Sequence, residues 1–515
     1  MSGKAKLIPA LFAVFALFLP PLLFSCAQPG QEDAQDYTQA REQTLEEAAA
    51  EEREPEIDFS SMSFIERLTY DRSQIADGLP MAGSEEADWQ GADYRIGYLY
   101  FSPTHFYTLD WVAEELTGEV YNDAVYNRQL TVENRFNVHI IPTEHPDSDY
   151  VTAFTASILA DDSEFEMASI HPGHISHFTT KGYLLPLNEM PYLDLAKPWW
   201  MADGIESYSY LGYVFSAYGT GTGCTVVGNS SVTFFNKQMA EDYGLENLYD
   251  VVREGRWTWD YVKAAINGVT ADLNGDGAIG DPDSHGLNFS HDNALYRFVW
   301  TFGGRYVVHD ADGLPVLNMD DPLLETVFER TREMTENPDV YASPGYAEDY
   351  IDGDTLFEAA TVLSVNAYRN ADFDTGILPM FKLDEAQEHY LTVGGGCPQV
   401  IPITCHDKRF ASMIMEAVNA EGYRQIIPAY YQTSVKYKMT DDEDSAEMLD
   451  LTLTHVVYDG NRLFMEDSTF LLSTFCSSGK GYGSMAQGAK KMYQKTLDRN
   501  LKQLQDVIDR LSEGG

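Results

Sequence analysis

Apolar and polar residues alternate along the first half of the chain in a pattern of short strands separated by helices. Residues 94–100, 138–141 and 165–170 are apolar segments with the length and composition of β-strands. Apolar residues at helical spacing fill the intervals at 121–136 and 150–159. Strands that alternate with helices predict an α/β fold with a parallel sheet, in which ligands bind at the carboxyl ends of the strands.

The second half continues this pattern with less regular spacing. Residues 232–235 and 361–366 have the composition of strands, another strand follows near 286–288, and Thr258 is placed to cap a helix toward Val269. Near the C-terminus, apolar residues recur every three or four positions, at Tyr493, Leu497, Leu501, Leu504, Ile508 and Leu511. This spacing predicts one long amphipathic helix that packs on the core, with a coiled-coil partner as the alternative.

The N-terminal apolar run, residues 7–24, follows two lysines and ends just before Cys26. Leu23-Phe24-Ser25-Cys26 resembles a lipobox, where the cysteine is acylated after the preceding peptide is removed. We therefore predict a lipoprotein signal peptide at 1–25 and a lipid anchor on Cys26, on the extracellular face of a Gram-positive-type cell membrane. An ordinary secretory signal and a short membrane helix are the alternatives, but the run is short for a span and contains adjacent prolines.

Residues 26–91 are predicted to form an acidic, flexible tether, with a short helix and docking of residues 64–70 as the alternative. Glu, Asp, Gln and Ala dominate 31–56, which has almost no large apolar residues and cannot bury enough surface to offset its ordering entropy. The remaining chain, over 400 of the 515 residues, is long enough for two to three domains with their own cores.

Charge and cysteine content exclude several classes of protein. The formal net charge of −47 argues against binding to nucleic acid or to anionic membrane surfaces, both of which recruit basic proteins. Apart from Cys26, the chain has Cys224, Cys397, Cys405 and Cys476, without the paired spacing of a zinc site. One disulfide is compatible with these four, but its pairing does not follow from the sequence.

Several motifs, each weak alone, occur in an order that resembles one family. They are Gly182-Tyr-Leu-Leu-Pro-Leu-Asn, Lys197-Pro-Trp-Trp, Phe234-Phe-Asn-Lys, Gly255-Arg-Trp-Thr-Trp-Asp, Gly376-Ile-Leu-Pro and Ala429-Tyr-Tyr. Together they resemble bacterial extracellular solute-binding proteins, and most closely the family 1 carbohydrate-type lipoproteins that serve ABC importers. The resemblance extends over residues 94–459.

The resemblance implies a two-lobed, periplasmic-binding-protein-like fold with a ligand cleft between the lobes. Lobe I would comprise 92–215 and 363–425, and lobe II 216–362 and 426–515. The chain would cross between the lobes at three places, near 213–229, 357–370 and 421–429. A solute that contacts both lobes would favour the closed state and present it to permease subunits. The protein would act as a monomer and without catalysis.

The candidate ligand-binding residues lie on loops that the fold would place at the cleft. They are His171 and His174 after the third strand, Tyr218 and Thr222 at the first crossing, Trp300 in the second lobe, and Asn366, Tyr368 and Arg369 after the late strand. Aromatic faces and polar side chains are what a carbohydrate site needs, although the same residues also build cores. Tyr368 occupies the position where the family often presents an aromatic ring to the sugar.

Residues 272–283 match the calcium loop of an EF-hand. Oxygen ligands fall at positions 1, 3 and 5 with Asp272, Asn274 and Asp276, the carbonyl of Ala278 serves at 7, and Asp283 closes the loop at 12. Ile279 would pack at position 8. The loop predicts one structural Ca²⁺, with a metal-free acidic turn as the alternative.

Three other functions are less consistent with the sequence. His171, His174 and His177 are spaced for a zinc site, but a Pro-Gly pair interrupts them and no acidic residue is adjacent. The chain has no nucleophile elbow, HExxH motif or phosphate-binding loop, which disfavours an enzyme. A surface adhesin or co-receptor could share the fold. We therefore expect an anchored protein that delivers a carbohydrate, most simply an oligosaccharide, to an ABC importer, with a peptide or metal as the alternative solute.

Overall fold

The structure is a computed structural model that describes residues 58–72, 75–100, 110–222, 227–280, 283–343, 348–368, 371–431, 443–465 and 471–513. The chain divides into two compact units, Met1–Ile57 and Asp58–Gly515, and every element below belongs to the second. The signal peptide with Cys26, the first half of the predicted tether, Cys224 and Arg369 lie outside the described residues.

The first sheet has four strands in the order β14-β3-β1-β2. Strand β1 (Ala92–Tyr100) lies between β2 (Val138–Pro146) and β3 (Met167–Ser169) and is parallel to both. Strand β14 (Gln399–Val400) joins the edge of β3 in the antiparallel direction. The three predicted strands of the first half are therefore confirmed as a parallel sheet.

The second sheet has five strands in the order β10-β7-β11-β6-β12. Its parallel part consists of β7 (His285–Ser290), β10 (Val340–Ser343) and β11 (Thr355–Thr361). Strand β6 (Ser231–Asn236) runs antiparallel to β11 and to β12 (Thr375–Pro379). The chain therefore builds two separate α/β sheets, as the two-lobed prediction requires.

Short ladders and helices surround the two sheets. The ladders pair β4 (Ser209–Tyr210) with β5 (Tyr213–Val214), β8 (Val307–His309) with β9 (Pro315–Leu317), and β13 (Thr392–Val393) with β15 (Val456–Val457). The helices before the second sheet are α1 (Phe64–Thr69), α2 (Val120–Phe136), α3 (Asp147–Ala160), α4 (Ile175–Thr180) and α5 (Ala202–Ser207). Those associated with the second sheet are α6 (Lys237–Asp242), α7 (Leu248–Arg253), α8 (Trp259–Ala265), α9 (His291–Thr301), α10 (Pro322–Thr335), α11 (Glu348–Ile351) and α12 (Val365–Tyr368). The last are α13 (Lys408–Glu421), α14 (Glu443–Thr452), α15 (Asn461–Phe464), α16 (Leu471–Ser478) and α17 (Tyr482–Glu513).

Local sequence explains where several of these helices begin. The Thr258 side chain accepts a hydrogen bond from the backbone N–H of Tyr261, so the predicted N-cap of α8 is confirmed. The predicted C-terminal helix is also confirmed, and it buries the stripe that includes Tyr493, Leu497 and Leu504. None of the helices that the structure describes is long and apolar enough to cross a membrane.

The late strand predicted at 361–366 is wrong. Strand β11 ends at Thr361, and the apolar residues after it form a 3-10 turn at Val362–Ser364 and helix α12. Glu358 is almost fully buried inside β11, and this carboxyl group interrupts the apolar pattern by which a buried strand is recognised. The apolar pattern alone therefore placed the strand at the residues that follow β11.

The order of the strands also moves one lobe crossing. Because β12 pairs with β6 in the second sheet, the chain returns to the first sheet between residues 380 and 398, not at 357–370 as predicted. The lobe I segment predicted at 363–425 includes β12, whereas hydrogen bonding assigns this strand to the second sheet.

The second half of the predicted tether is folded, so flexibility is the wrong prediction for residues 58–91. Ser63 and Glu66 form a capping box at the start of α1. Phe64 and Leu68 are buried in the core, and the Arg67 guanidinium donates to the carbonyl of Trp200 at 3.1 Å. Docking of residues 64–70, the alternative to a flexible tether, is therefore what the structure has.

The segments that cross between the sheets meet at one buried side chain, Asn419 of α13. Its carbonyl oxygen Oδ1 accepts the N–H of Gly221 at 2.8 Å, and its backbone carbonyl accepts the Thr220 hydroxyl at 2.7 Å. A Cβ on Gly422 would lie 2.0 Å from the carbonyl of Thr220, so the first and third crossings touch where only glycine fits. A π-helical turn at Gly422–Ile426 follows directly.

Three of the cysteines lie in the part of the chain that the structure describes, and no disulfide joins any two of them. These are Cys397, Cys405 and Cys476. Burial raises the pKa of the Cys405 thiol to about 12 and that of Cys476 to about 11. The thiols of Cys405 and Cys476 are therefore protonated near neutral pH.

Candidate functional site

A buried ion pair, Asp459 with Arg462, lies where elements of the two sheets meet. The Arg462 Nε atom donates to Asp459 Oδ2 at 2.9 Å, and each residue is 7% exposed. Both follow strand β15, and Arg462 is in helix α15. Burial raises the pKa of the Asp459 carboxyl group, and the positive charge and hydrogen bond of Arg462 partly oppose this. The pair is the polar centre around which the other residues of the junction are arranged.

His171 approaches this pair from the first sheet, directly after β3. Its Nδ1 atom accepts the backbone N–H of Gly173 at 3.2 Å. Burial, with the nearby charges of Arg462 and His174, lowers the pKa of His171 to about 3. The imidazole is therefore neutral at physiological pH and carries its proton on Nε2. His174 packs edge-on against it, with 5.5 Å between ring centroids.

Three tyrosines support the pair from the first crossing and the C-terminal segment. The Tyr208 hydroxyl donates to the backbone carbonyl of Asp459 at 2.6 Å. The hydroxyl of Tyr218 lies 3.4 Å from that of Tyr208, and its ring lies 4.9 Å from that of Tyr458. Burial raises the pKa of the Tyr218 hydroxyl well above its usual range, so it stays protonated and acts as a donor.

Tyr296 approaches from the second sheet, in helix α9 immediately after β7. Its ring is only partly buried. The guanidinium carbons of Arg462 and Arg297 lie 5.2 and 5.4 Å from its ring centroid, which is the range of cation–π contacts. Arg297 also donates through Nη1 to the carbonyl of Asn229 at 3.0 Å and to the Ser231 hydroxyl at 3.1 Å. Helix α9 is thereby fastened to the end of the first crossing.

Arg305 completes the second-sheet side. Its guanidinium carbon lies 4.7 Å from the ring centroid of Trp300, and its Nη1 donates to the carbonyl of Gly304 at 2.7 Å. Burial lowers the pKa of Arg305 to about 10, partly offset by the charge of Asp459. Arg305 therefore remains positively charged at neutral pH.

This junction has the features of a small-molecule binding site. An accessible aromatic face, Tyr296, is next to fixed hydrogen-bond donors from elements of both sheets. Aromatic faces and directed donors together recognise ligands that present both apolar faces and hydroxyl or charged groups. A ligand that contacts His171 and Tyr296 at once would bridge elements of both sheets.

The structure brings some of the predicted binding residues together and separates others. His171 and Tyr218 lie near the Asp459–Arg462 pair, while His174 packs on His171 and Trp300 packs against Arg305. Thr222 is buried on the first crossing. Tyr368 is buried in the core of the second sheet, with ring centroids 4.9 Å from Phe234 and 4.6 Å from Tyr350. The backbone of Asn366 belongs to α12, and Arg369 lies outside the described residues. The binding role of each remains a prediction.

The sequence patterns did not indicate the residues at the centre of the junction: Tyr296, Arg297, Arg305, Asp459 and Arg462. A signal existed for two of them, because Tyr296 and Arg297 follow a strand that was predicted, just as His171 does. The sequence contains no such signal for Asp459 and Arg462, because their position at the junction depends on how the C-terminal segment folds across it.

The predicted calcium loop folds as a succession of tight turns. The Asp272 carboxylate accepts the N–H groups of Gly275 and Gly277, at 2.6 and 2.8 Å. Asn274 and Asp276 each accept the N–H two residues further on, both at 2.8 Å. Side-chain oxygens at positions 1, 3 and 5 thus hold the loop in its curved shape.

The closing residue of this loop points to the backbone. The buried Asp283 carboxylate accepts the N–H groups of Leu273 and Gly280, at 2.9 and 2.8 Å. Ile279 is 44% exposed, so the prediction that it packs inward is wrong. Within the residues described, no group of three or more His, Cys, Asp or Glu side chains is close enough to hold a metal ion. Asp281 of the loop lies outside that range.

Two α/β sheets joined by crossing segments, with polar and aromatic residues where they meet, define a two-lobed binding protein. Residues 132–382 match the family model described as bacterial extracellular solute-binding protein. This match agrees with the resemblance that the order of the motifs predicted. No curated protein matches the sequence.

Solved structures of solute-binding proteins share the fold. A cyclic α-maltosyl-1,6-maltose binding protein from Arthrobacter globiformis has 14% identity and a TM-score of 0.56, covering 79% of this chain and 99% of that one. An ABC substrate-binding protein from Listeria monocytogenes, in complex with cycloalternan, has 11% identity and a TM-score of 0.54, covering 79% and 99%. UgpB from Mycobacterium tuberculosis, in complex with glycerophosphocholine, has 14% identity and a TM-score of 0.52, covering 80% and 99%. At these identities the likeness is one of fold.

Proposed function

We propose that this protein binds a carbohydrate, an oligosaccharide, outside the cell and delivers it to an ABC importer. The observation that carries the proposal is the position of Tyr296, a partly exposed aromatic ring between guanidinium groups at the junction of a solute-binding fold. Sugar rings present C–H faces that pack on aromatic rings and hydroxyls that accept from fixed donors. Two of the similar structures are described as binding or holding glucans.

Binding would act through closure of the lobes. A solute held between His171 and Tyr296 contacts elements of both sheets, and so favours the arrangement in which they are close. The permease subunits would recognise this closed form. The protein needs no catalytic group for this role, and a monomer suffices.

A thermal-shift screen of the protein against oligosaccharides, amino acids, peptides and metal ions tests the proposal. A ligand at about a hundred times its dissociation constant adds roughly 2.7 kcal/mol to the free energy of unfolding, which visibly raises the melting temperature. We expect hits among related glycans, with the added glycan recovered intact. Hits confined to peptides or metal ions would contradict the carbohydrate assignment, and recovery of cleaved glycan would contradict a purely binding role.

A non-sugar solute is the second candidate. One similar structure holds glycerophosphocholine, so this fold also accommodates small polar phosphodiesters. The arginines of the junction would suit such a ligand as well. A hit with glycerophosphodiesters in the same screen, without any glycan, would favour this candidate.

We further propose that Cys26 carries a lipid anchor. The supporting observation is its position directly after the N-terminal apolar run. In cells, labelled fatty acid should enter the parent protein, and Cys26→Ser should lose the label and release the protein into the medium. Retention of Cys26→Ser in the membrane fraction would instead indicate an uncleaved membrane helix.

We also propose one structural Ca²⁺ in the loop 272–283, held by Asp272, Asn274, Asp276, the carbonyl of Ala278 and Asp283. The succession of turns supports it, because each carboxylate oxygen that accepts an N–H group keeps another lone pair for a cation. Ligation by Asp283 requires its carboxylate to turn from the backbone toward the other oxygens.

A further inference from the structure

The junction carries the opposite charge from the rest of the molecule. The chain has a formal net charge of −47. Around Tyr296 and Trp300, however, the structure places three guanidinium groups, those of Arg297, Arg305 and Arg462. Among the described residues, Asp459 alone supplies a carboxylate bonded to any of the three. Two positive charges at the junction are therefore not neutralised by a bonded acidic residue.

Arg297 is the clearer of these two. It is 7% exposed, and its bonded partners are neutral: the Asn229 carbonyl and the Ser231 hydroxyl. Its Nε atom is buried without a hydrogen-bond partner. A buried guanidinium without a counter-charge has lost hydration that neutral partners replace only in part. An anion that arrived beside Arg297 would restore this lost stabilisation.

Arg305, which follows the end of α9, is likewise a guanidinium without a bonded carboxylate. Its bonded partners are also neutral, the backbone carbonyls of Trp300 and Gly304. Asp459 influences it only through space, and that carboxylate is already bonded to Arg462. The single acidic residue is thus shared between Arg462 and Arg305.

The aromatic ring beside these charges restricts the kind of anion. Tyr296 offers a face on which a sugar ring can pack, and Arg297 and Arg462 lie within 5.4 Å of its centroid. A guanidinium binds carboxylate and phosphate oxyanions through paired hydrogen bonds. A saccharide that carries an oxyanion on its ring would use both features together.

We propose that the solute is an acidic saccharide, one whose sugar rings carry carboxylate groups, and that Arg297 recognises the negative charge of the carboxylate. This inference rests on the proposed function, because it specifies the solute of the same junction. Arg297 is then the residue that distinguishes acidic from neutral sugars, and Tyr296 the residue that holds the ring in either case.

Matched pairs of ligands test this directly. Uronic-acid oligosaccharides with different backbones are each compared with their neutral methyl esters, and a sugar phosphate with its free sugar, by calorimetric titration of the protein. The variants are Arg297→Met, which removes the charge, and Arg297→Lys, which keeps it. Arg256→Met is the control, since Arg256 is an arginine paired with Glu246 and Glu254 away from the junction.

We expect one uronate to bind at least about tenfold more tightly than its ester, as a desolvated charged hydrogen bond warrants. Arg297→Met should reduce this ratio to near one, Arg297→Lys should keep part of it, and Arg256→Met all of it. If Arg297→Met does not fold, the proposal is tested with Arg297→Lys. The measured quantity is then the ratio of the affinities for the uronate and its ester, and the decrease of this ratio with added salt.

The outcomes separate the two proposals. Binding of neutral glycans without any preference for an acid over its ester would overturn the acidic-saccharide inference and leave the proposed function intact. If only the sugar phosphate binds more tightly than its neutral partner, the recognised group is a phosphate. This result would overturn the proposal that the solute carries carboxylate groups. Failure of every saccharide to bind would overturn both.

Discussion

Asn419 and Gln399 exchange two hydrogen bonds through their side-chain amides, with N–O distances of 2.7 and 2.9 Å. Both residues are buried, one in α13 and the other in β14. Since Asn419 also bonds to the first crossing at Thr220 and Gly221, the amide pair ties three segments together at the place where the lobes join.

Asn419→Leu should destabilise the protein strongly. The substitution keeps the branched shape of the side chain but leaves the amide of Gln399 and the N–H of Gly221 buried without partners, at about 1–3 kcal/mol for each. Urea unfolding measures the loss. Gln399→Leu and the double variant complete a mutant cycle, in which we expect the double variant to lose much less than the sum of the two single losses. Additive losses would mean that the two amides act independently.

Glu416 provides a pH-dependent test one turn earlier in α13. Its carboxyl group accepts the indole N–H groups of Trp199 and Trp200, at 2.9 and 3.0 Å. Burial raises the pKa of Glu416 to about 8, although the two indole donors oppose this. A raised pKa in the folded state means that the stabilising contribution is complete below the unfolded value near 4.5 and is lost as the pH rises through 8.

The parent protein should therefore lose stability relative to Glu416→Gln between about pH 5 and pH 8, in urea midpoints measured at several pH values. Glu447→Gln, which removes a carboxylate paired with Arg253 at the surface, is the control and should show no such trend. A stability difference that does not depend on pH would indicate that the indole donors keep Glu416 ionised.

Asp77 fastens the N-terminal segment to the folded core. Its carboxylate accepts from Arg135 at 2.7 and 3.0 Å and from Arg424 at 3.2 Å. Burial alone would raise its pKa, but these bonds and charges outweigh burial and lower it. The stabilisation is thus present above about pH 4, the usual pKa of an aspartate, and is lost as the pH falls through the lowered value.

Asp77→Asn should cost about 1–3 kcal/mol, because two charged donors lose their anionic acceptor. It should also expose residues 58–91 to proteases that spare the parent. Glu85→Gln, on an exposed position of the same segment, should leave the digestion rate unchanged. Equal cleavage of parent and Asp77→Asn would mean that this segment is held by other contacts.

Two tyrosines should give opposite results when changed to alanine. Tyr368 is 4% exposed and packs against Phe234 and Tyr350, so Tyr368→Ala should cost about 3–5 kcal/mol in urea unfolding. Tyr296→Ala should instead lower affinity for the bound oligosaccharide at least about tenfold with little loss of stability. Weakened binding with unchanged stability in Tyr368→Ala would support the role predicted for it from the sequence.

Calcium should stabilise the protein through the loop at 272–283. A chelator should lower the melting temperature of the parent, and the double variant Asp272→Ala/Asp276→Ala should not respond to it. Asp310→Ala is a matched control, since Asp310 makes a similar turn by accepting the N–H groups of Asp312 and Leu314, both at 2.9 Å. An equal chelator response in parent and double variant would contradict the assignment.

The sequence predicted the elements whose spacing alone defines them. Strands β1, β2 and β3 are apolar segments separated by helical spacing, and helix α17 has a long, regular stripe. The rule that ligands gather at the carboxyl ends of strands led directly to His171. The same rule would have led to Tyr296 had it been applied after β7. What the pattern missed in β11 is Glu358, a buried polar residue whose environment is set by neighbouring strands.

The rest depended on tertiary contacts that no local pattern contains. Phe64 and Leu68 look like a small apolar patch in an acidic segment, and their burial requires a surface formed by residues more than a hundred positions away. Asp459 and Arg462 are neighbours in sequence, but their importance comes from contacts with Tyr208 and Tyr296, which belong to different lobes of the fold.

Residues 58–91 are attached to the folded core beside the third crossing. The backbone carbonyl of Arg67 accepts the Tyr423 hydroxyl, and the carbonyl of Ile75 accepts from Arg424 at 2.8 Å, both beside the π-helical turn of the third crossing. If Cys26 carries the proposed lipid anchor, tension along the chain would reach the folded part through these contacts beside the third crossing. If the lobes close around a solute as proposed, this position of the attachment would leave both lobes free to move relative to each other.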